Sequence, residues 1–354
     1  MYVAIYLSIM VIVAFLGFAE SDEDEGVALR RKYIIYGVIV LLLTFLAGLR
    51  PIGIDNDGEA YVRYFNGLID YDFEVELSFD MIAAISKFIS DSPVVLFLIY
   101  ALLAIPLKGF AITRLTKFVF VSLMVWMSNF FILQDVTQIR AAVATASFLM
   151  GLHFYLKKQW PVFLLFVAVS IFFHTSAVLF LMVLFFSNKP LSNMARWILA
   201  VPPIIGMAMA LMKVDLVVAL PIDYVQNKVE IYEELRDTGV MGDEINVLNI
   251  VFLLRIMTYY FLLWKYKVVE EQGKYVSLFL KLYMFSLFFF TALAFFPVAA
   301  FRVSEMFGVV EIVLLPCVIY AFEQKFAGKL FITIYAFAYV IYNIFVGELL
   351  DLTM

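Results

Sequence analysis

Long apolar runs constrain this chain more than any other feature. A helix needs about 17–25 apolar residues to cross a bilayer, and runs of this length recur along the sequence. They lie near residues 2–19, 33–49, 94–112, 118–133, 139–156, 196–212, 247–264, 275–296, 303–322 and 329–346. Hydrophobic residues make up 65% of the chain, against roughly 45–50% in soluble domains. We therefore predict an all-α polytopic membrane protein in which residues 1–354 form a single integral membrane domain.

The stretch 160–186 decides the predicted topology. It is long for one span and short for two, and His174 lies in its middle. If it forms two short helices that turn at His174, most loop lysines and arginines, including Lys108, fall on one side of the membrane, as is typical of the cytoplasmic side. We therefore predict about 11–12 membrane-embedded helices, with the polar loops 50–93 and 213–246 facing outward. A re-entrant pair at 160–186 is the alternative.

Both outward loops contain patterns that predict short helices. Phe79–Ile89 has apolar positions at roughly helical spacing, which is typical of an amphipathic helix lying along a membrane surface. Lys228–Arg236 predicts a second, polar helix.

Composition and motifs exclude several classes of function. One cysteine and two histidines are too few for the usual zinc ligands. No basic patch interleaved with aromatic residues indicates nucleic acid as a partner. The chain also contains no Gly-x-Ser-x-Gly, His-Glu-x-x-His or phosphate-loop motif.

The outer ends of the predicted spans carry most of the polar residues that lie near membrane. A charged segment near lipid is costly and marks a candidate working site. Each of these residues alone can be explained as an ordinary anchor at the membrane interface. Their position on the same side of the membrane instead favours a functional site. They are Arg50, Asp55, Tyr61, Gln134, Gln138, Arg140, His174 and Arg302.

Three of these residues are arginines from separate helix ends. The planar guanidinium of Arg50, Arg140 or Arg302 fits phosphate oxygens, so together they predict a pyrophosphate site without a metal ion. Arg302 alternatively pairs with Glu305, one helical turn away. Asp55-Asn56-Asp57 matches an acidic pattern that can hold a divalent ion, but with so many arginines nearby we predict no metal.

Two residues are candidates for accepting a proton. The neutral imidazole of His174 accepts a proton near pH 7, and we favour it over Asp55. Asp55 lies close to Arg50 in sequence and is expected to stay ionised and to orient the arginine or the substrate. A hydrogen-bonded packing role is the alternative for His174.

Two charges fall inside predicted spans. Arg255 and Glu311 lie at similar depth and have opposite sign. We predict a buried structural pair that ties the late helices together, or the floor of a cavity.

Four short motifs follow one another along the chain. They are Gly48-Leu49-Arg50 with Gly53, Asp55, Tyr61 and Phe65; Gln138 with Arg140 and Ala144; Phe173-His174 with Ser176-Ala177; and Arg302 with Phe307 and Pro316. Together they resemble the EpsG family of polysaccharide polymerases, which are related in role to the Wzy O-antigen polymerases. The resemblance covers about residues 50–320.

The resemblance implies a fold like that of the C-type membrane glycosyltransferases, in the bacterial inner membrane, with the site facing the periplasm or exterior. It implies a growing O-antigen, capsule or exopolysaccharide chain on undecaprenyl pyrophosphate as donor and one lipid-linked repeat unit as acceptor. The acceptor hydroxyl displaces the lipid pyrophosphate without a metal or other cofactor, and Arg50, Arg140, Arg302, Tyr61, Gln138 and Ser176 contact the substrate. The resemblance also implies membrane lipid and a chain-length regulator protein as partners.

Two other functions stay open. An O-antigen ligase differs from a polymerase only in its acceptor, which short motifs do not reveal. A transporter or flippase for lipid-linked glycans is disfavoured, because its polar groups are expected near the membrane midplane.

Overall fold

The computed structural model describes residues 1–68, 76–214 and 245–352. These residues are mostly helical and contain no strand beyond one isolated bridge between Asp55 and Leu350. The helix predicted at Lys228–Arg236 lies outside them. The chain divides into two compact units, Met1–Leu181 with Gln272–Lys274 and Ile312–Met354, and Met182–Glu271 with Tyr275–Glu311.

Helices follow one another through both units. The first part of the chain forms α1 (Tyr2–Ala19), α2 (Gly26–Gly48), α3 (Gly58–Phe65), α4 (Leu77–Ile89), α5 (Pro93–Leu115), α6 (Val119–Trp126), a π-helix (Met127–Thr137), α7 (Ile139–Leu156), α8 (Trp160–Phe173) and a 3₁₀ helix (Thr175–Phe185). The later part forms α9 (Asn193–Leu211), α10 (Ile250–Trp264), α11 (Tyr266–Gln272), α12 (Val276–Ala292), α13 (Pro297–Gly308), α14 (Glu311–Leu314), a 3₁₀ helix (Leu315–Ala321) and α15 (Lys325–Phe345).

The helices agree with the predicted fold class. Within the described residues, eight helical segments are long and apolar enough to cross a membrane: Tyr2–Ala19, Gly26–Gly48, Pro93–Leu115, Val119–Thr137, Ile139–Leu156, Asn193–Leu211, Pro297–Ala321 and Lys325–Phe345. Four shorter apolar helices are Trp160–Phe173, Thr175–Phe185, Ile250–Trp264 and Val276–Ala292. These segments correspond one to one with the spans and half-spans read from the sequence. The prediction of an all-α polytopic membrane protein is therefore confirmed.

Helix α7 forms the centre of the first unit. It packs against α5 and α8, and most of its side chains are buried. Small residues such as Ala144 and Gly151 let the neighbouring helices approach its backbone. This packing fixes the first turn of α7, which carries Arg140.

One basic residue does not lie where the sequence placed it. Lys108 was assigned to a cytoplasmic loop, but it is inside α5 and its side chain is 0% exposed. Its Nζ lies 2.9 Å from both carboxylate oxygens of Asp135, on the π-helix. Trp126 Nε1 donates a 2.7 Å hydrogen bond to the same carboxylate. The set of loop lysines and arginines on the predicted cytoplasmic side therefore loses one residue, because a buried lysine paired with its own counter-ion is not a loop charge.

The predicted intramembrane charges contact each other in the second unit. Arg255 Nε, on α10, lies 3.2 Å from Glu311 Oε1. Tyr283 and Ser286 of α12 complete the network: the Tyr283 hydroxyl donates a 2.6 Å hydrogen bond to Glu311, and Arg255 Nη2 donates a 3.0 Å bond to Ser286 Oγ. Both charged side chains are buried, so the ion pair joins helices inside this unit.

Candidate active site

A turn directly after α2 holds Arg50 and Asp55 together. Arg50 Nε donates a 2.8 Å hydrogen bond to Asp55 Oδ2, and each side chain is 1% exposed. Gly53 has a φ of 85°, a left-handed conformation that glycine adopts without steric cost. This turn reverses the chain and brings the carboxylate back to the arginine.

The surroundings of this ion pair leave it little room to move. The Arg50 guanidinium lies 3.9 Å from the centre of the Phe97 ring, and its Nη1 donates a 3.1 Å hydrogen bond to the Ala47 carbonyl. The backbone N–H of Asp57 donates a 3.1 Å bond to Asp55 Oδ1. A Cβ at Gly58 would lie 2.9 Å from Asp55 Oδ2, so a larger residue there would displace this carboxylate.

The end of the chain also supports the turn. The N–H of Asp351 donates a 2.8 Å hydrogen bond to the carbonyl of Ile54, beside the bridge between Asp55 and Leu350. No local pattern in the sequence indicated this long-range contact.

A second cluster gathers around Glu76, the residue directly before α4. Its Oε1 lies 3.1 Å from His174 Nδ1, and its Oε2 accepts a hydrogen bond from Arg140 Nη1. The Thr175 N–H lies 3.4 Å from the same Oε1. Glu76 therefore brings two predicted site residues, Arg140 and His174, to one carboxylate.

Breaks in the helices explain why these two side chains reach Glu76. The π-helix ends at Thr137 and α7 begins at Ile139, so Arg140 lies in the first turn of α7. His174 has extended backbone angles between α8 and the 3₁₀ helix. Its N–H bonds to the Ser170 carbonyl and its own carbonyl accepts from Ala177, both at 2.9 Å. The ring therefore projects from a fixed corner of the backbone.

This second cluster is more accessible than the first. The exposed fractions of the side chains are 24% for Arg140, 13% for Glu76 and 12% for His174. These three side chains are therefore partly exposed, whereas Arg50 and Asp55 are enclosed.

Tyr61 on α3 lies between the two clusters. Its ring centre is 5.8 Å from the Arg140 guanidinium carbon, 5.8 Å from the Phe79 ring and 6.4 Å from the Phe97 ring. Burial raises the pKa of the Tyr61 hydroxyl, so the phenol stays neutral. Tyr61 is only 6% exposed, which makes it part of the wall behind Arg140.

A comparison with known protein families now adds to this geometry. A profile of the EpsG family matches residues 33–349, a range that contains both clusters and nearly the whole chain. The chain belongs to the EpsG family. No curated protein and no solved structure matches it. EpsG proteins are Wzy-like polysaccharide polymerases, so the clusters lie in a membrane protein of the polysaccharide polymerase class.

The other predicted residues of this EpsG protein have varied surroundings. Gln138 is half-buried at the junction of the π-helix and α7, and Ser176 is half-buried in the 3₁₀ helix, two residues after His174. Arg302 is exposed on α13, in the second unit. The first unit thus brings together Arg140 and His174, with Arg50, Asp55 and Tyr61 packed behind them.

Glu76 is the residue of this candidate site that the sequence did not reveal. An acidic residue at a helix N-terminus is common, because it stabilises the helix dipole, so its pattern carried no functional signal. The available clue was weaker: it is a carboxylate in the same outward loop as Arg50 and Asp55.

The carboxylates of this candidate site already accept hydrogen bonds from cationic or backbone N–H groups. Asp55 accepts from Arg50 and from a backbone N–H, and Glu76 accepts from Arg140 and faces His174. Within the described ranges, no three His, Cys, Asp or Glu side chains come together as metal ligands. Metal independence stays a prediction from the sequence.

Proposed function

We propose that this EpsG protein polymerises oligosaccharide repeat units carried on undecaprenyl pyrophosphate. The growing chain on one carrier is the donor, and a single repeat unit on a second carrier is the acceptor. One observation carries the proposal: a single carboxylate, Glu76, holds a phosphate-binding guanidinium and an imidazole side by side at a partly exposed position.

The reaction needs both of these groups. The acceptor hydroxyl oxygen attacks the anomeric carbon of the donor, and the bond from that carbon to the pyrophosphate oxygen breaks. The leaving pyrophosphate takes the electron pair, and the Arg140 fork stabilises its charge. His174 takes the hydroxyl proton as the new bond forms, which typically contributes about 10²–10⁴ in rate.

The buried ion pair has a supporting role in this proposal. Asp55 is 1% exposed and bonded to Arg50, so it orients Arg50 and the turn and does not take the proton. Arg50 and Phe97 in turn support Tyr61, against which Arg140 lies. Arg50, Asp55 and Tyr61 thus keep Arg140 in position.

The roles of the remaining predicted residues follow from the sequence. Gln138 and Ser176 are the neighbours of Arg140 and His174 along the chain and are proposed to bind sugar hydroxyls. Arg302 is exposed on α13, and we propose it as a further contact to the lipid pyrophosphate. A chain-length regulator protein is proposed as a partner on the strength of the family alone.

Turnover by purified protein tests the function. The protein in lipid nanodiscs receives lipid-linked repeat units, and the products are separated by length. A ladder of glycans that each differ by one repeat unit is the expected result. Transfer of a glycan to another acceptor without a ladder would instead indicate a ligase, and transbilayer movement of unaltered substrate would indicate a transporter.

Cysteine labelling tests the proposed orientation in the inner membrane. Asn66 is exposed after α3, and Glu23 is 86% exposed between α1 and α2. In a Cys317→Ser background, Asn66→Cys is expected to react with an impermeant reagent in intact cells, and Glu23→Cys only after lysis. The reverse pattern would place the cluster on the cytoplasmic side and contradict the proposal.

A further inference from the structure

We infer that Glu76 is a positioning residue that fixes the His174 ring and neutralises Arg140 until the lipid pyrophosphate arrives. This inference rests on the proposed function. It assigns a role to a residue that no motif of the chain contains, and it explains how a cationic site stays ordered without its substrate.

The first half of the role follows from the contact with the ring. Glu76 Oε1 faces His174 Nδ1 at 3.1 Å, so Nδ1 carries the hydrogen of the neutral imidazole and Nε2 is the nitrogen that takes a proton. When Nε2 is protonated during the reaction, the adjacent carboxylate stabilises the imidazolium charge. The Thr175 N–H near the same oxygen keeps the carboxylate beside the corner from which His174 projects.

The second half follows from the contact with the guanidinium. Arg140 Nη1 donates a hydrogen bond to Glu76 Oε2, and this nitrogen is one that a phosphate would otherwise bind. An unpaired, partly buried guanidinium is costly, and the carboxylate removes that cost in the empty site. A pyrophosphate carries more negative charge than one carboxylate, so it competes successfully for Arg140. Glu76 then keeps its contact with His174.

The test separates turnover from binding in the ladder assay. Glu76→Gln is expected to lower kcat by about tenfold or more, because the imidazolium loses its counter-charge. The apparent KM for lipid-linked substrate is expected to stay the same or fall, because Arg140 no longer has a competing partner. Glu76→Asp is expected to restore part of the rate. Asp80→Asn, an exposed acid in the first turn of the same helix, is the matched control and is expected to behave like the parent.

Three results would overturn the role of Glu76: parental kcat and KM in Glu76→Gln, a raised KM with parental kcat, or equal loss in the Asp80→Asn control. If Glu76→Gln does not purify as a folded protein, the shorter Glu76→Asp decides by the same split between kcat and KM. Absence of any ladder from the parent protein would contradict the proposed function instead.

A second observation concerns a groove between α2 and α5. It has a volume of about 570 Å³ and is lined mainly by apolar side chains, with Tyr33 and Leu41 on one wall, Phe110 on the other and Arg114 among the lining residues. The Tyr36 hydroxyl donates a 2.9 Å hydrogen bond to the Gly109 carbonyl, which joins the two helices at this level.

The groove is distinct from the candidate active site. Phe97, under Arg50, and Arg114 both lie on α5, and a rise of 1.5 Å per residue separates them by about 25 Å. Lys32 Nζ donates a 3.0 Å hydrogen bond to the Lys117 carbonyl, so the start of α2 lies beside the end of α5. Arg31 and Lys117 are exposed there, which makes this end of the groove basic.

We propose that the groove binds one chain of an anionic phospholipid whose phosphate lies on Arg114. The Arg114 guanidinium already stacks over Phe110 at 4.6 Å, which leaves its edge to bind phosphate oxygens. Basic residues beside a membrane attract anionic headgroups by about 1 kcal/mol each. The apolar volume and the basic end thus match the two parts of one lipid.

Gly37 offers a direct test, because a Cβ there would meet no atom within 4 Å. Gly37→Leu is therefore expected to place its side chain in the groove, and Val38→Leu, at a 53% exposed neighbour, is the matched control. After reconstitution in equal phosphatidylglycerol and phosphatidylcholine, native mass spectrometry is expected to show one retained phosphatidylglycerol in the parent and Val38→Leu. Gly37→Leu is expected to lose it, and Arg114→Gln to lose the preference for phosphatidylglycerol. Equal retention in both leucine variants, or no headgroup preference in the parent, would overturn the proposal.

Discussion

Two arginine–carboxylate ion pairs of the first unit, Arg50–Asp55 and Arg140–Glu76, differ in exposure. Arg50 and Asp55 are each 1% exposed, and Phe97 and the Asp57 N–H contact them within the core. Arg140 and Glu76 are 24% and 13% exposed, and the Glu76 carboxylate also contacts His174. In a low-dielectric interior a fully enclosed pair acts as structure, whereas a partly exposed pair can exchange partners. Residue type alone would have assigned both to the substrate.

Removing the imidazole is expected to have the largest effect on activity. His174→Ala should lower kcat for polymerisation at least about a hundredfold, because the hydroxyl proton loses its acceptor, while binding of lipid-linked substrate persists. The ladder assay and a binding measurement with the same substrate separate the two effects. If His174→Ala polymerises normally and a folded Asp55→Asn binds substrate but is inactive, the roles of the two residues are reversed.

Removing the accessible arginine is expected to have a somewhat smaller effect. Arg140→Ala should lower turnover by about 10²–10³, the usual cost of losing a group that meets developing charge. Arg140→Lys should recover little, since an ammonium keeps the charge but not the two-point geometry. Arg302→Ala tests the arginine assigned from sequence in the same assay. Polymer of parental length and yield from both alanine variants would contradict phosphate binding by these arginines.

The buried pair is expected to affect stability before activity. Asp55→Asn or Arg50→Met leaves an unpaired buried charge and should destabilise the fold by about 3–5 kcal/mol. The double variant Arg50→Met with Asp55→Leu should recover part of this loss, because neither charge is left alone. Thermal unfolding in detergent compares the stability of these three variants with that of Glu76→Gln, which should lose less stability. Equal losses from Asp55→Asn and Glu76→Gln would remove the distinction between the two pairs.

Hydropathy predicted the helices because a bilayer demands a continuous apolar surface and internally satisfied backbone groups. The break at His174 was predictable for the same reason, since the stretch around it is too long for one span. Local patterns do not report contacts between distant residues. Glu76 and His174 are 98 residues apart, and nothing near Glu76 marks the carboxylate that reaches the ring. Lys108 was misplaced because its counter-ion, Asp135, lies on a different helix.

The smallest expected effect is that of removing metal ions. The carboxylate oxygens nearest the proposed phosphate site already face cations or N–H groups: Asp55 is bonded to Arg50 and the Asp57 N–H, and Glu76 to Arg140. A divalent ion would have to displace these donors, and the arginines would then repel it. Polymerisation is therefore expected to continue in EDTA at the parental rate, with a metal-dependent glycosyltransferase as the positive control for chelation. Loss of the ladder in EDTA and its return with magnesium or manganese would show that Asp55 and Asp57 serve as ligands, and the buried pair, not the exposed cluster, would then be the reacting centre.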